Sequence, residues 1–209
     1  MSTSDNVSRQ LYTTHPDFSQ PENVVIHSVD NVRFNIARRD LERTSGWFRN
    51  LFNLANRTIS GDGDEDISVI EDAATLQIVL KVALGQEVAP DTISTVSACE
   101  LALSVAMKYE MSGVTQALKG MLECLLWRNK DAWEQFILAC RFGLHALKKD
   151  ALERCIDDEL DYDKLSKLEK DDMLSFLRER DSRIQESLRI TRVRQIDNYW
   201  SVNNNPFRA

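Results

Sequence analysis

Hydrophobic residues near the start of the chain alternate with polar ones, which is the spacing of a half-buried strand. A β-branched run at 24–26, a turn pair at Asp30-Asn31 and an alternating run over 32–36 follow one another. Together they predict a β-hairpin whose second strand ends near Ala37. A further β-branched run over 67–70 predicts a third short strand.

In the rest of the chain the apolar residues recur three and four positions apart, which predicts helices. Two short helices follow the hairpin, over 41–45 and 47–54. A third helix, over 72–85, has an aspartate cap at its start and a glycine at its end. From Asp91 onward the pattern is almost wholly helical, and the helix that carries Leu103 is apolar on most sides, so we expect it to be central.

The expected fold class is α+β: a small three-stranded sheet capped by a helical cluster, followed by an all-helical C-terminal extension. The chain has 209 residues, only 7 Gly and 4 Pro, a poor supply for the many turns of a β-sandwich or barrel. We expect a flexible N-terminal arm over 1–22, the sheet and its helices over 23–128, and the helical extension over 129–209 with a frayed tail.

The negative charge is concentrated in one segment. The net charge is −7, and residues 58–104 alone contain nine acidic residues and one lysine. The one basic cluster comprises six arginines between 178 and 194, with Glu179, Asp181 and Glu186 between them. A solvated helix with ion pairs explains this cluster better than a nucleic-acid stripe, so we expect no nucleic-acid partner.

No segment predicts a membrane span or a secretory signal. The longest run without Asp, Glu, Lys or Arg is ten residues, 198–207, and the first ten residues are polar. We therefore expect a cytoplasmic or nuclear protein without a membrane partner. Four cysteines lie in apolar helical patterns, so we expect them to be reduced and buried: Cys99, Cys124, Cys140 and Cys155.

Few residues in the sequence suggest a metal-binding or catalytic site. Asp62, Asp64 and Asp66 match the opening of a calcium loop, but its sixth and twelfth positions hold Ile67 and Ala73 instead of Gly and Glu. A solvated loop is the better interpretation. The three histidines, His15, His27 and His145, have no partner at zinc spacing. No nucleophile elbow, phosphate loop or paired-carboxylate motif occurs. We therefore expect no enzyme activity, metal, cofactor or small-molecule substrate.

The segment from Phe34 to Phe48 resembles the signature of the BTB/POZ domain. That signature has a phenylalanine, then a basic residue, a leucine, a serine and a second phenylalanine four, seven, eleven and fourteen positions later, and the chain has Phe34, Arg38, Leu41, Ser45 and Phe48. The strand 23–26 and the helix ending in Lys108-Tyr109 are also similar to the family. The resemblance covers roughly residues 20–128, and the arm and the helices of 131–156 resemble compact single-domain BTB proteins of fungi.

The resemblance implies a core and two contact regions. Phe34, Leu41, Phe48 and Leu103 should pack in the core. The spacing agrees, since Phe34 points inward from its strand and Leu41 and Phe48, seven apart, lie on one side of consecutive helical turns. Ser45 stands where a helix cap is needed between two short helices. BTB domains dimerise through their first helices and the segment before the first strand, which implies a homodimer interface that includes Trp47, Leu51, Phe52 and Phe18. Many members also bind partner peptides in a groove with an aspartate and an arginine, and Asn23 and Arg38 stand at those places.

The implied function is a protein–protein interaction module that self-associates and recruits partners. One expectation is an adaptor that bridges a cullin-type ubiquitin ligase to its substrates, since the helices of 131–156 stand where such proteins have cullin-supporting helices. The alternative is a nuclear transcriptional co-regulator or scaffold that oligomerises through the BTB domain without a ligase.

Overall fold

The computed structural model describes residues 12–58, 65–89, 92–128 and 131–203. It confirms the α+β class, with a small mixed sheet and a larger helical part. The chain divides after Leu126 into an N-terminal unit, residues 1–126, and a C-terminal unit, residues 127–209. The boundary expected from the sequence lies two residues later, between 128 and 129.

The sheet belongs to the N-terminal unit, and its described strands are β1 (Thr13–Thr14), β2 (Val24–His27), β3 (Val32–Ile36) and β4 (Glu65–Ser68). Their spatial order is β1-β3-β2-β4. The antiparallel pair of β2 and β3 is the predicted hairpin, and Asn31 takes a left-handed φ of 63° in its turn. β4 lies parallel to β2 on the other side and begins two residues earlier than expected.

The sheet of the described residues has four strands, not the three that were expected. Residues 13–14, which we expected to belong to the flexible arm, pair in parallel with the start of β3. The Thr13 N–H donates to the Asn31 carbonyl at 3.0 Å, and the His15 N–H donates to the Arg33 carbonyl at 2.9 Å. A strand of two residues is too short to produce an alternating pattern, so local sequence could not reveal it.

One face of the sheet contributes to the apolar core. Val24 lies opposite Ile36 and Ile26 lies opposite Phe34, and all four side chains are buried. The other predicted core residues are buried as well: Leu41, Phe48 and Leu103. The prediction that these positions belong to the core is therefore confirmed.

A 3-10 turn (Pro16–Phe18) and five α-helices complete the described part of the N-terminal unit: α1 (Arg38–Thr44), α2 (Gly46–Thr58), α3 (Ala73–Ala83), α4 (Val96–Lys108) and α5 (Ser112–Arg128), the last of which runs two residues past the division. α3 begins as predicted, because the Asp72 carboxylate accepts the Thr75 N–H at 2.8 Å. α4 is less enclosed than expected, since Leu101 and Met107 are exposed.

The described elements of the C-terminal unit are all helices: α6 (Ala132–Phe142), α7 (His145–Cys155), α8 (Tyr162–Leu165) and α9 (Lys170–Asn203). Its buried cluster is aromatic at the centre. The Phe176 ring lies 4.9 Å from the Trp133 ring and 5.6 Å from the Phe136 ring, centroid to centroid. α9 continues to Asn203, so the first half of the tail that we expected to fray, residues 198–203, is helical, and residues 204–209 lie outside the described residues.

Candidate functional site

Ser45 connects the junction of α1 and α2 to the end of α4. Its hydroxyl donates to the Tyr109 carbonyl at 2.6 Å and accepts the Phe48 N–H at 3.0 Å, and the side chain is fully buried. The first residue of α2 adds a backbone bond, from the Gly46 N–H to the Glu110 carbonyl at 3.2 Å. The serine of the signature is thus the helix cap that the spacing predicted, and it also binds a distant element.

A second polar cluster joins the same end of α4 to the segment before α3. The Glu71 carboxylate accepts from the Lys108 ammonium at 2.5 Å and from the Tyr109 hydroxyl at 2.7 Å. Burial alone would raise the pKa of Glu71, but the bonds from Lys108 and Tyr109 outweigh it and leave that pKa below its usual range. Burial and the neighbouring carboxylate raise the pKa of Tyr109. Sequence reasoning did not identify Glu71, because its partners lie 37 and 38 residues away.

Three apolar side chains of α2 form a contact stripe, which we define as Trp47, Leu51 and Leu54. They stand at i, i+4 and i+7, so they share one side of the helix. Trp47 and Leu51 are half-buried, and Leu54 is 63% exposed. The Trp47 ring rests against Tyr109 at 5.0 Å and Phe48 at 4.8 Å, so the stripe is supported by the core beneath it.

Two residues of the expected dimer interface are inside the N-terminal unit. Phe18 is 3% exposed and Phe52 is 0% exposed, so neither offers surface to a second chain. Phe18 packs edge-on against Phe34 at 5.2 Å, and the Phe52 ring lies under the Arg38 guanidinium at 4.6 Å. Of the four expected interface residues, Trp47 and Leu51 remain on the candidate surface. Leu54 completes the contact stripe and was not among the expected residues, although its spacing in α2 is visible in the sequence.

The structure brings the two candidate groove residues together. The Asn23 side-chain oxygen accepts the Arg38 N–H at 2.9 Å and so caps the start of α1. The Arg38 side chain bonds to Glu42 at 2.9 Å. Both line an open cleft of about 550 Å³ whose other walls are Pro21, Glu22, Ala37 and Arg39. Asn23 and Arg38 thus have structural roles of their own beside any role toward a peptide.

The candidate metal ligands do not gather in the described part of the chain. Asp62 and Asp64 lie outside the described residues, while Asp66 accepts from His27 at 3.1 Å. His15 stacks on Phe34 at 5.0 Å, and its partial burial lowers its pKa. His145 is exposed at the start of α7. Among the described side chains, no group of three or more His, Cys, Asp and Glu residues could hold a metal ion.

The expected burial of the four cysteines is only partly observed, while the ion pairs expected among the arginines of 178–194 are present. Cys99 and Cys155 are buried and Cys140 is half-buried, but Cys124 is exposed, because it faces away from the buried side of α5. Burial raises the pKa of the Cys99 and Cys155 thiols to about 11. In α9, Arg183 lies 3.8 Å from Glu179 and Arg189 lies 3.6 Å from Glu186, so ion pairs occur there as expected.

Comparison with known proteins leaves the resemblance without outside support. No protein-family model matches the chain, and no curated protein matches it. Within the described residues, no helix combines the length and the apolar character that crossing a bilayer requires.

Proposed function

We propose that the chain is a BTB/POZ-like protein–protein interaction module that associates with a second copy of itself through the contact stripe. The observation that supports this function is the apolar row of Trp47, Leu51 and Leu54 on α2, next to the side that carries the buried Phe48 and Phe52. A stripe that is supported by the core but open outward suits a contact with another apolar surface. A stable homodimer would bury roughly 2,000 Å² in total, so neighbouring residues must contribute as well.

The proposed role of the dimer is to recruit other proteins, without catalysis, in the cytoplasm or the nucleus. The resemblance favours an adaptor that bridges a cullin-type ubiquitin ligase to its substrates. α6 and α7 are the elements that we assign to the ligase contact, because they follow the BTB-like part of the chain. A pull-down with the full chain tests this role. Cullin subunits among the captured proteins would support the adaptor, and transcription factors without cullins would support a nuclear co-regulator.

Self-association is tested by placing a carboxylate on the stripe. In a two-fold interface each copy contributes the same patch, so a single Asp appears twice and is buried without a partner. Leu54→Asp should convert the dimer to a folded monomer, and Trp47→Asp should do the same at some cost in stability. Ile70→Asp is the matched control, since Ile70 is 78% exposed and lies on no helix.

Sedimentation velocity over a dilution series in about 500 mM salt, where contacts between exposed charges are screened, measures the result, with circular dichroism to check folding. We expect the wild type and Ile70→Asp to sediment as dimers at tens of micromolar and the two stripe variants as monomers. A wild type that is already monomeric at that concentration would disprove the proposal, and so would dimers of Leu54→Asp that dissociate no more readily than the wild type.

A further inference from the structure

The second half of α9 is a helix with nothing packed on it in the described chain. We define the basic segment as residues 187–195, in which every side chain is exposed. It contains three arginines, Arg189, Arg192 and Arg194, and no acidic residue. It also exposes Leu188, Ile190 and Val193. An isolated helix with this many uncovered apolar side chains needs a partner surface.

The same C-terminal unit contains a cleft of the opposite charge. We define the acidic cleft as Trp133 and residues 158–164, which enclose about 630 Å³. Four of these residues are acidic, and Asp157 stands beside them in the sequence. Tyr162 is 75% exposed, so its ring is available to an arginine. One carboxylate is already used, since Asp161 accepts the Asp163 N–H at 3.0 Å and caps α8.

The basic segment cannot reach the cleft of its own chain. The Arg180 guanidinium donates to the Ile156 carbonyl at 2.9 Å and the Asp158 carbonyl at 2.6 Å, which fixes α9 beside the cleft at residue 180. α9 continues from there as one helix. Arg189 and Arg194 follow nine and fourteen residues later, roughly 14 and 21 Å along the axis at 1.5 Å per residue. A continuous helix does not fold back, so these arginines can meet such a cleft only on another molecule.

We propose that the basic segment of one chain binds the acidic cleft of a second copy, and that the contact is reciprocal. Two α9 helices in antiparallel orientation would each carry their arginines toward the partner's cleft. Arginine and carboxylate form bidentate bonds, and Tyr162 offers a face for cation–π contact. The same pairing would cover the exposed Ile184 and Leu188, which lie four residues apart on one side of α9.

A second copy suits the segment better than a bilayer or a nucleic acid. Leu188 and Ile190 project roughly 160° apart around the helix, so a flat membrane surface could bury only one of them. Phosphates would pair with the arginines but would leave the apolar side chains exposed. This contact is separate from the contact stripe, so it stands or falls independently of the function proposed above.

Charge reversal tests the contact in the full chain with Leu54→Asp as the common background. One variant carries Arg189→Glu, Arg192→Glu and Arg194→Glu. The other carries Asp158→Lys, Glu159→Lys and Asp163→Lys, all at exposed positions that make no side-chain bond in the described structure. Circular dichroism confirms that both keep their helices. Sedimentation velocity is measured at about 50 mM and about 500 mM salt.

We expect the background protein to self-associate at low salt. Its affinity for a second copy should fall at least tenfold at high salt. Each reversed variant should be monomeric, and their equimolar mixture should restore a one-to-one dimer, because each basic surface then meets an acidic one. A background protein that stays monomeric at tens of micromolar in about 50 mM salt would overturn the proposal. So would a mixture that stays monomeric, or a background protein that binds a DNA duplex or phosphatidylserine vesicles and not itself.

Discussion

At the scale of single residues, two polar side chains connect elements that are far apart in sequence. The Ser45 hydroxyl accepts the Phe48 N–H at the start of α2 and donates to the Tyr109 carbonyl. The Glu71 carboxylate accepts hydrogen bonds from the side chains of Lys108 and Tyr109. Both clusters involve Tyr109 at the end of α4. The Ser45 cluster fixes that end beside the α1–α2 junction, and the Glu71 cluster fixes it beside the segment before α3. Buried groups of this kind are costly to leave unpaired.

Replacing Ser45 with alanine should destabilise the protein by about 2 kcal/mol, because the Phe48 N–H and the Tyr109 carbonyl lose their partner inside the core. Urea unfolding followed by circular dichroism measures the change. Ser104→Ala is the control, since its hydroxyl donates to the Glu100 carbonyl on an exposed helix face. The control should cost less than about 0.5 kcal/mol. Equal losses in the two variants would contradict the role of Ser45.

Glu71 should make the stability depend on pH. An unfolded glutamate titrates near 4.5, and the folded pKa of Glu71 is below that value. Its contribution is therefore fully present above pH 4.5 and is lost as the pH falls through the folded pKa. Glu71→Gln should be less stable than the wild type at neutral pH. The difference in free energy of unfolding between the two proteins, which is the gap to be measured, should narrow in acid. Urea midpoints between about pH 3 and 7 measure the gap, and a gap of constant size would argue against a charged Glu71.

At the scale of elements, two glycines in helices should respond in opposite ways to alanine. Gly143 ends α6 with a φ of 66°, where a Cβ is strained, so Gly143→Ala should cost about 1 kcal/mol. Gly120 lies within α5, and a Cβ added there meets nothing within 4 Å. Gly120→Ala should therefore gain about 0.5–1 kcal/mol of stability. Urea unfolding of both variants gives the two signs, and equal signs would contradict the helix end assigned at Gly143 or the mid-helix position assigned to Gly120.

At the scale of the whole molecule, the charge distribution predicts that duplex DNA is not bound. The net charge is −7 and acidic residues interrupt the arginines of α9. At physiological salt the dissociation constant for duplex DNA should be larger than about 10⁻⁴ M. Fluorescence anisotropy with a labelled duplex measures it.

A matched variant shows that this assay can respond. Glu179→Lys, Asp181→Lys and Glu186→Lys together leave only basic charges between 178 and 194, and this triple variant should bind with a steep salt dependence. Micromolar binding by the wild type that is lost on replacing Arg189, Arg192 and Arg194 would contradict the prediction.

The sequence alone was sufficient for features that depend on residues close together in the chain. The hairpin at 24–36 followed from alternation around one turn, and the start of α3 followed from Asp72. The burial of Phe34, Leu41 and Phe48 followed from their spacing. The position of Ser45 between two helices also predicted a cap. In each case the physical cause is backbone geometry, which repeats every two residues in a strand and every 3.6 in a helix.

Only the tertiary structure decided which of these residues are accessible and which distant ones meet. The short β1 exists because its N–H groups bind β3, and Phe18 and Phe52 are buried because other elements cover them. Glu71 acquires its function from residues 37 and 38 positions away, and Asn23 caps a helix that begins 15 residues later. Such contacts carry no local period, since they depend on how whole elements pack, and a pattern read along the chain cannot contain them.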